Sequence, residues 1–78
     1  MSIIFDPVFF GREFADYVQS EKVSRQQAGD MTKGAVNALA TILFDNGVSN
    51  PETIALMDKF LEAVSARWFE HSNVGGNA

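Results

Sequence analysis

The chain has 78 residues, no cysteine and a formal net charge of −4. That length bounds it to one small domain, where a single core rarely supplies more than about 3–5 kcal/mol. The missing cysteines exclude a disulfide framework and thiolate metal sites, and the acidic balance opposes general nucleic-acid binding, which needs Lys and Arg to neutralise phosphates.

Oligomerisation or docking on a partner is the supplement left for so small a core. Seven Phe, one Trp and one Tyr can each bury ~150–250 Å², more apolar surface than three helices easily hide among themselves. No apolar run approaches the roughly 18 residues of a membrane span. Met1-Ser2-Ile3-Ile4-Phe5 carries no basic region and meets Asp6-Pro7 at once, so it does not read as a signal peptide. The expectation is a cytoplasmic protein. Charge is unevenly spread: acidic residues dominate 1–21 and 35–78, while 22–34 holds Lys22, Arg25 and Lys33 against Asp30 alone.

Ile3-Ile4-Phe5 is an apolar lead-in to a first helix. Asp6 is placed to cap it, with Pro7 at the first helical position, where a missing N–H costs nothing. Phe5 before the cap and Phe10 after it fit a hydrophobic staple. The helix should run to 19 or 21, with Phe10, Phe14, Tyr17 and Val18 on one face, and Gly11 marking a close helix approach.

Ser24 can open a second helix at Arg25-Gln26-Gln27-Ala28. Gly29 and Gly34 interrupt its pattern, each costing about 1 kcal/mol relative to Ala, yet a single helix from 24 is the preferred reading. Val36, Leu39, Ala40, Leu43 and Phe44 give its apolar face. Gly47 suits a left-handed stop, followed by the apolar Val48.

Ser49 or Asn50 then caps a third helix, with Pro51 first and Glu52 near its positive end. Ile54, Met57, Leu61, Val64 and Trp68 recur at spacings of three and four, so they should form its buried stripe. Phe60 and Phe69 widen that stripe. The connection is about four residues, so helices 2 and 3 should form an antiparallel hairpin. After His71 the sequence reads as a frayed end, with residues 1–74 as one domain and 75–78 as a flexible tail.

Chemistry-bearing motifs are sparse. His71 has no nucleophile at a useful spacing and reads as a helix-end residue. Asp58 and Glu62, one turn apart, lack the Glu-x-x-His pattern of a carboxylate metal site. Gly75-Gly76 follows no strand and opens no helix, so it is no phosphate loop. No catalytic residue, cofactor site or metal site is assigned. Gly47-Val48-Ser49 followed by Thr53-Ile54 is similar to a helix-turn-helix motif, but Ile54 falls one residue late and Glu52, Asp58 and Glu62 have the wrong sign beside phosphates. The turn Ser49-Asn50-Pro51 between two helices resembles that of bacterial secretion-needle subunits, which implies a filament-forming hairpin. The Gly75-Gly76 tail departs from their ordered, apolar C-terminus.

The reading is an all-α, small three-helix bundle with an antiparallel helix 2–helix 3 hairpin and helix 1 laid across it. Paired neighbours such as Phe9-Phe10 and Trp68-Phe69 point about 100° apart on a helix, so one of each pair faces outward. The expected function is a non-enzymatic interaction module, homodimeric or docked on a larger protein that it modulates or inhibits, as small accessory proteins of phages do. Its contact residues would be Phe9, Phe60, Arg67, Trp68 and Phe69, with Asp58 and Glu62 as an acidic rim. A DNA-binding regulator and a filament subunit are the alternatives.

Overall fold

The computed structural model describes the backbone of residues 5–76 and the side chains through His71. It contains α1 (Pro7–Ser20), α2 (Arg25–Asp45) and α3 (Asn50–Gly76), with no strand among the described residues. The fold is a small all-α bundle. Residues 1–4, including the Ile3-Ile4 lead-in, and residues 77–78 of the expected tail lie outside the described residues.

Local sequence chemistry sets each helix end. The Asp6 carboxylate accepts from the Val8 and Phe9 N–H groups at 3.1 Å, satisfying two donors that the first helical turn leaves open. Phe5 and Phe10 close the staple, with ring centroids 5.8 Å apart. At α2, Ser24 Oγ accepts from Gln27 N–H, and Gln27 Oε1 accepts in return from Ser24 N–H, both at 3.1 Å. This reciprocal capping box starts one continuous helix through Gly29 and Gly34. Its stop is a Schellman turn: Val48 N–H donates to Leu43 C=O and Gly47 N–H to Phe44 C=O, both at 3.0 Å, with Gly47 at φ +88°. Lys22, in the turn after α1, is the one described residue other than Gly with positive φ, at 54°.

The core forms where α1 meets α3. Ala15, Leu43, Met57, Phe60 and Val64 make its buried cluster. Successive α1 residues meet successively later α3 residues. The Phe10 and Phe14 rings lie 6.0 and 5.7 Å from the Phe60 ring, Gly11 abuts Phe60, Ala63 and Val64, and Asp16 pairs with Arg67 and His71. α1 therefore runs alongside α3 in the same direction rather than across the hairpin. α2 runs antiparallel to α3: Leu43 near its end packs with Met57, and its first turns border the same groove as Trp68 and Phe69. The two helices lie along one another, unlike the 90–120° crossing of a helix-turn-helix. α2 is held less closely to α3 than α1 is.

Several faces differ from the sequence pattern. On α3 the buried positions are Thr53, Met57, Phe60, Ala63 and Val64, whereas Ile54 is 62% exposed and Leu61 also reaches the surface. On α1 they are Pro7, Gly11, Ala15 and Val18, with Phe10 and Tyr17 exposed. The reason is steric: Gly11 and Ala15 let α1 approach closely, and whichever α3 residues face that small strip become the core. Phe44, expected inside α2, is exposed as well. α3 also continues past His71 through Gly76. No proline breaks it there, and the cost of Gly in a helix is only about 1 kcal/mol. Thr53 Oγ1 is buried without a hydrogen-bond partner among the described residues.

Candidate functional site

Two features stand out on this scaffold, a polar ladder between α1 and α3 and an apolar groove beside it. In the ladder, Arg67 Nε donates to Asp16 Oδ1 at 2.8 Å and its Nη2 reaches Oδ2 at 3.5 Å. Arg67 Nη1 donates to Glu70 Oε1 at 3.0 Å, and Arg12 Nη1 donates to Glu70 Oε2 at 3.3 Å. His71 Nε2 lies 2.7 Å from Asp16 Oδ1. The Arg67 hydrogen bonds, followed by that of His71, hold the Asp16 carboxyl at a pKa of about 2. Asp16 in turn, with Glu70, raises that of the Arg67 guanidinium. An ionised carboxylate only accepts, so His71 Nε2 must carry the hydrogen of this contact.

A His–Asp pair can orient an imidazole for base work, but it needs a nucleophile on the other ring nitrogen. Among the described residues His71 has no hydrogen bond to a hydroxyl. The ladder instead ties one turn of α1 to residues 67–71 of α3, with the Asp16 side chain still 38% exposed. Among the described residues no group of three or more His, Cys, Asp or Glu could hold a metal ion. No helix among them is long and apolar enough to cross a membrane.

The groove lies between the first half of α2, α3 and the C-terminal half of α1, with a volume of about 710 Å³. α1 contributes Ala15 and Val18; α2 contributes Arg25, Ala28, Gly29 and Thr32; α3 contributes Leu61, Val64, Ser65, Trp68 and Phe69. Its cause is written along the inner stripe of α2. From position 36 onward that stripe carries Val36, Leu39 and Leu43, which reach the core. Before position 36 it carries Ala28, Gly29 and Thr32, too short to fill the same space. A Cβ on Gly29 would meet nothing within 4 Å. Small side chains at one end of a helix and large ones at the other leave a gap that widens toward the small end.

The sequence-derived contact residues fall into three groups. Trp68, half-buried, and Phe69, 66% exposed, come together on the groove wall. Phe9, Asp58 and Glu62 are exposed but do not line the groove. Phe60 and Arg67 are not where an uncovered flank would put them. Phe60 is 0% exposed, its ring next to those of Phe10 and Phe14, because Gly11 seats α1 directly over it. Arg67 is spent on Asp16 and Glu70. Leu61 and the small α2 residues are groove positions that periodicity does not reveal. The available signal is that Ala28, Gly29 and Thr32 precede the large Val36, Leu39 and Leu43 on one stripe. No protein-family model, curated protein or solved structure matches the chain.

Proposed function

We propose that this protein is a small non-enzymatic interaction module that works by presenting its groove to another protein chain, modulating or inhibiting what it covers. The observation that carries the reading is the open apolar groove itself, with Trp68, Leu61 and Phe69 on one wall and short side chains on the other. Its volume suits one or two large apolar side chains of an incoming helix, the helix-in-groove mode of recognition. Aromatic residues with an Arg at the edge are the usual composition of an interface centre, and Arg25 stands at this edge without an ion pair among the described residues. Asp58 and Glu62, exposed on α3, extend the surface as an acidic rim.

Affinity capture with mass-spectrometric identification, run in parallel on the wild type, Gly29→Leu and Phe69→Asp, tests this. Gly29→Leu places a branched side chain into the groove at a position with open space while improving helix propensity, so the variant should stay folded. A protein retained by the wild type and lost from both variants supports the reading. Identical retention by all three refutes it.

A further inference from the structure

We propose that Asn46-Gly47, in the turn between α2 and α3, is a self-modification site. Opening of that turn converts Asn46 to isoaspartate, and the product keeps α2 from closing again on α3.

The sequence singles out this asparagine. Cyclisation of an asparagine side chain requires the next residue's backbone nitrogen to attack the carboxamide carbon. Asn46 is the only asparagine followed by glycine. Asn37 precedes Ala38, and Asn50 precedes Pro51, which has no N–H to give up. Gly47 has no Cβ to shield its nitrogen, and both residues of the pair are exposed to water. Removal of the Gly47 amide proton by hydroxide frees the nitrogen lone pair to bond Asn46 Cγ. The Cγ–Nδ2 bond breaks, and Nδ2 leaves as ammonia after taking a proton from water. Water then opens the resulting five-membered imide. Cleavage at Cγ gives aspartate, whereas cleavage at the backbone carbonyl gives isoaspartate, in which the chain runs through Cβ and Cγ. The sequence of steps consumes water, releases ammonia and needs no oxidant or reductant.

The folded turn blocks the first step. Ring closure requires Gly47 N to eclipse Asn46 Cβ about the Cα–C bond. With Asn46 at ψ 13°, Gly47 N nearly eclipses the Asn46 backbone nitrogen instead. The carboxamide is drawn back along α2, its Nδ2 donating to Ile42 C=O at 2.7 Å. The attacking Gly47 N–H is itself held by Phe44 C=O, and Val48 N–H by Leu43 C=O, both at 3.0 Å. All three hydrogen bonds open before ψ can rotate. Each is ordinarily worth about fivefold in population, so together they should slow the reaction about a hundredfold. Where opening and closing are fast, the rate follows the open fraction.

The product does not fit the same turn. Isoaspartate lengthens the backbone between Asn46 Cα and Gly47 N by a carbon, moving the Gly47 and Val48 N–H groups out of register with their acceptors. It removes the Nδ2 donor and adds a carboxylate at the negative end of α2, beside Asp45, in a last turn with no basic residue. Val48, which packs against the core, loses its seat. Of the two helices packed on α3, α2 is held less closely, so it is the one released.

Incubation of the full chain at mildly alkaline pH, natively and in denaturing urea, tests this. Isoaspartate is read by methyl transfer from S-adenosylmethionine with an isoaspartyl methyltransferase, and located by peptide mass spectrometry. It should accumulate at Asn46 and not at Asn37, about a hundredfold faster in urea than natively. The isoaspartyl chain, separated by ion exchange, should melt below both the unmodified chain and Asn46→Asp, which adds the charge without lengthening the backbone. No isoaspartate at Asn46, equal rates in the two conditions, or a melt no lower than that of Asn46→Asp would each overturn the proposal.

Discussion

Replacing Gly by Ala inside a helix ordinarily stabilises it by about 1 kcal/mol, and the helical glycines Gly11, Gly29 and Gly34 have opposite surroundings. At Gly11 an added Cβ would sit 2.7 Å from the Phe60 carbonyl oxygen, 2.8 Å from Ala63 Cβ and 3.3 Å from Val64 N. Two of these neighbours are α3 backbone, which cannot rotate away. Restoring ordinary contact requires α1 to lift by about 0.7 Å, a gap that forfeits a quarter to a half of the dispersion attraction between the facing atoms. Overpacking of this kind costs about 3 kcal/mol at the upper end of its usual range. The propensity gain offsets about 1 kcal/mol, leaving Gly11→Ala about 2 kcal/mol less stable. At Gly29 and Gly34 the same Cβ meets nothing within 4 Å, so each substitution should stabilise by about 0.5–1 kcal/mol. Urea unfolding followed by Trp68 fluorescence and far-UV circular dichroism reads all three. With a slope of about 1 kcal/mol per molar urea, Gly11→Ala should lower the midpoint by about 2 M, while the other two raise it. A Gly11→Ala variant as stable as the wild type would refute the close α1–α3 contact, and with it the burial of Phe60.

Phe60→Ala should cost about 3–5 kcal/mol, comparable to the whole stability expected of so small a core, so the variant should lose cooperative thermal unfolding. If it kept a cooperative transition near that of the wild type, Phe60 would belong to a surface after all. Acid titration of unfolding probes the polar ladder. The Asp16 pKa falls from 3.8 to about 2 on folding, so its contribution is full above pH 4 and is lost as the pH falls through 2. Asp16→Asn should therefore be less stable than the wild type at neutral pH, with the gap closing between pH 4 and 2. A constant gap across that window would show that the Arg67 and His71 contacts do not persist in solution.

Helix ends were legible in the sequence because capping is local. Asp6-Pro7, Ser24 with Gln27, and Asn46-Gly47-Val48 each satisfy open backbone groups within a few residues of themselves, so no distant partner is needed to read them. The short connection between α2 and α3 likewise dictated an antiparallel hairpin. Helix faces were another matter. α3 carries Ile54, Leu56, Met57, Phe60, Leu61, Val64, Trp68 and Phe69 around much of its circumference, and periodicity alone favours the stripe through Ile54 and Leu61. Tertiary structure turned the helix to a different phase, since Gly11 and Ala15 on α1 present a strip small enough for Phe60, Ala63 and Val64 to approach.

The groove was decided at the same level. The sequence by itself determined three helices, where each begins, where the first two end, and the direction of the hairpin, all of which follow from backbone satisfaction within one or two turns; the end of α3, which runs on to Gly76, was not among them. Which faces meet depends on the shapes of two or three helices at once: short side chains permit contact on α1 and leave a void on α2. Gly11 is covered by α3, while Gly29 borders open space, and no property of a glycine taken alone distinguishes the two. That difference put Phe60 in the core and left Trp68 and Phe69 on the wall of the groove.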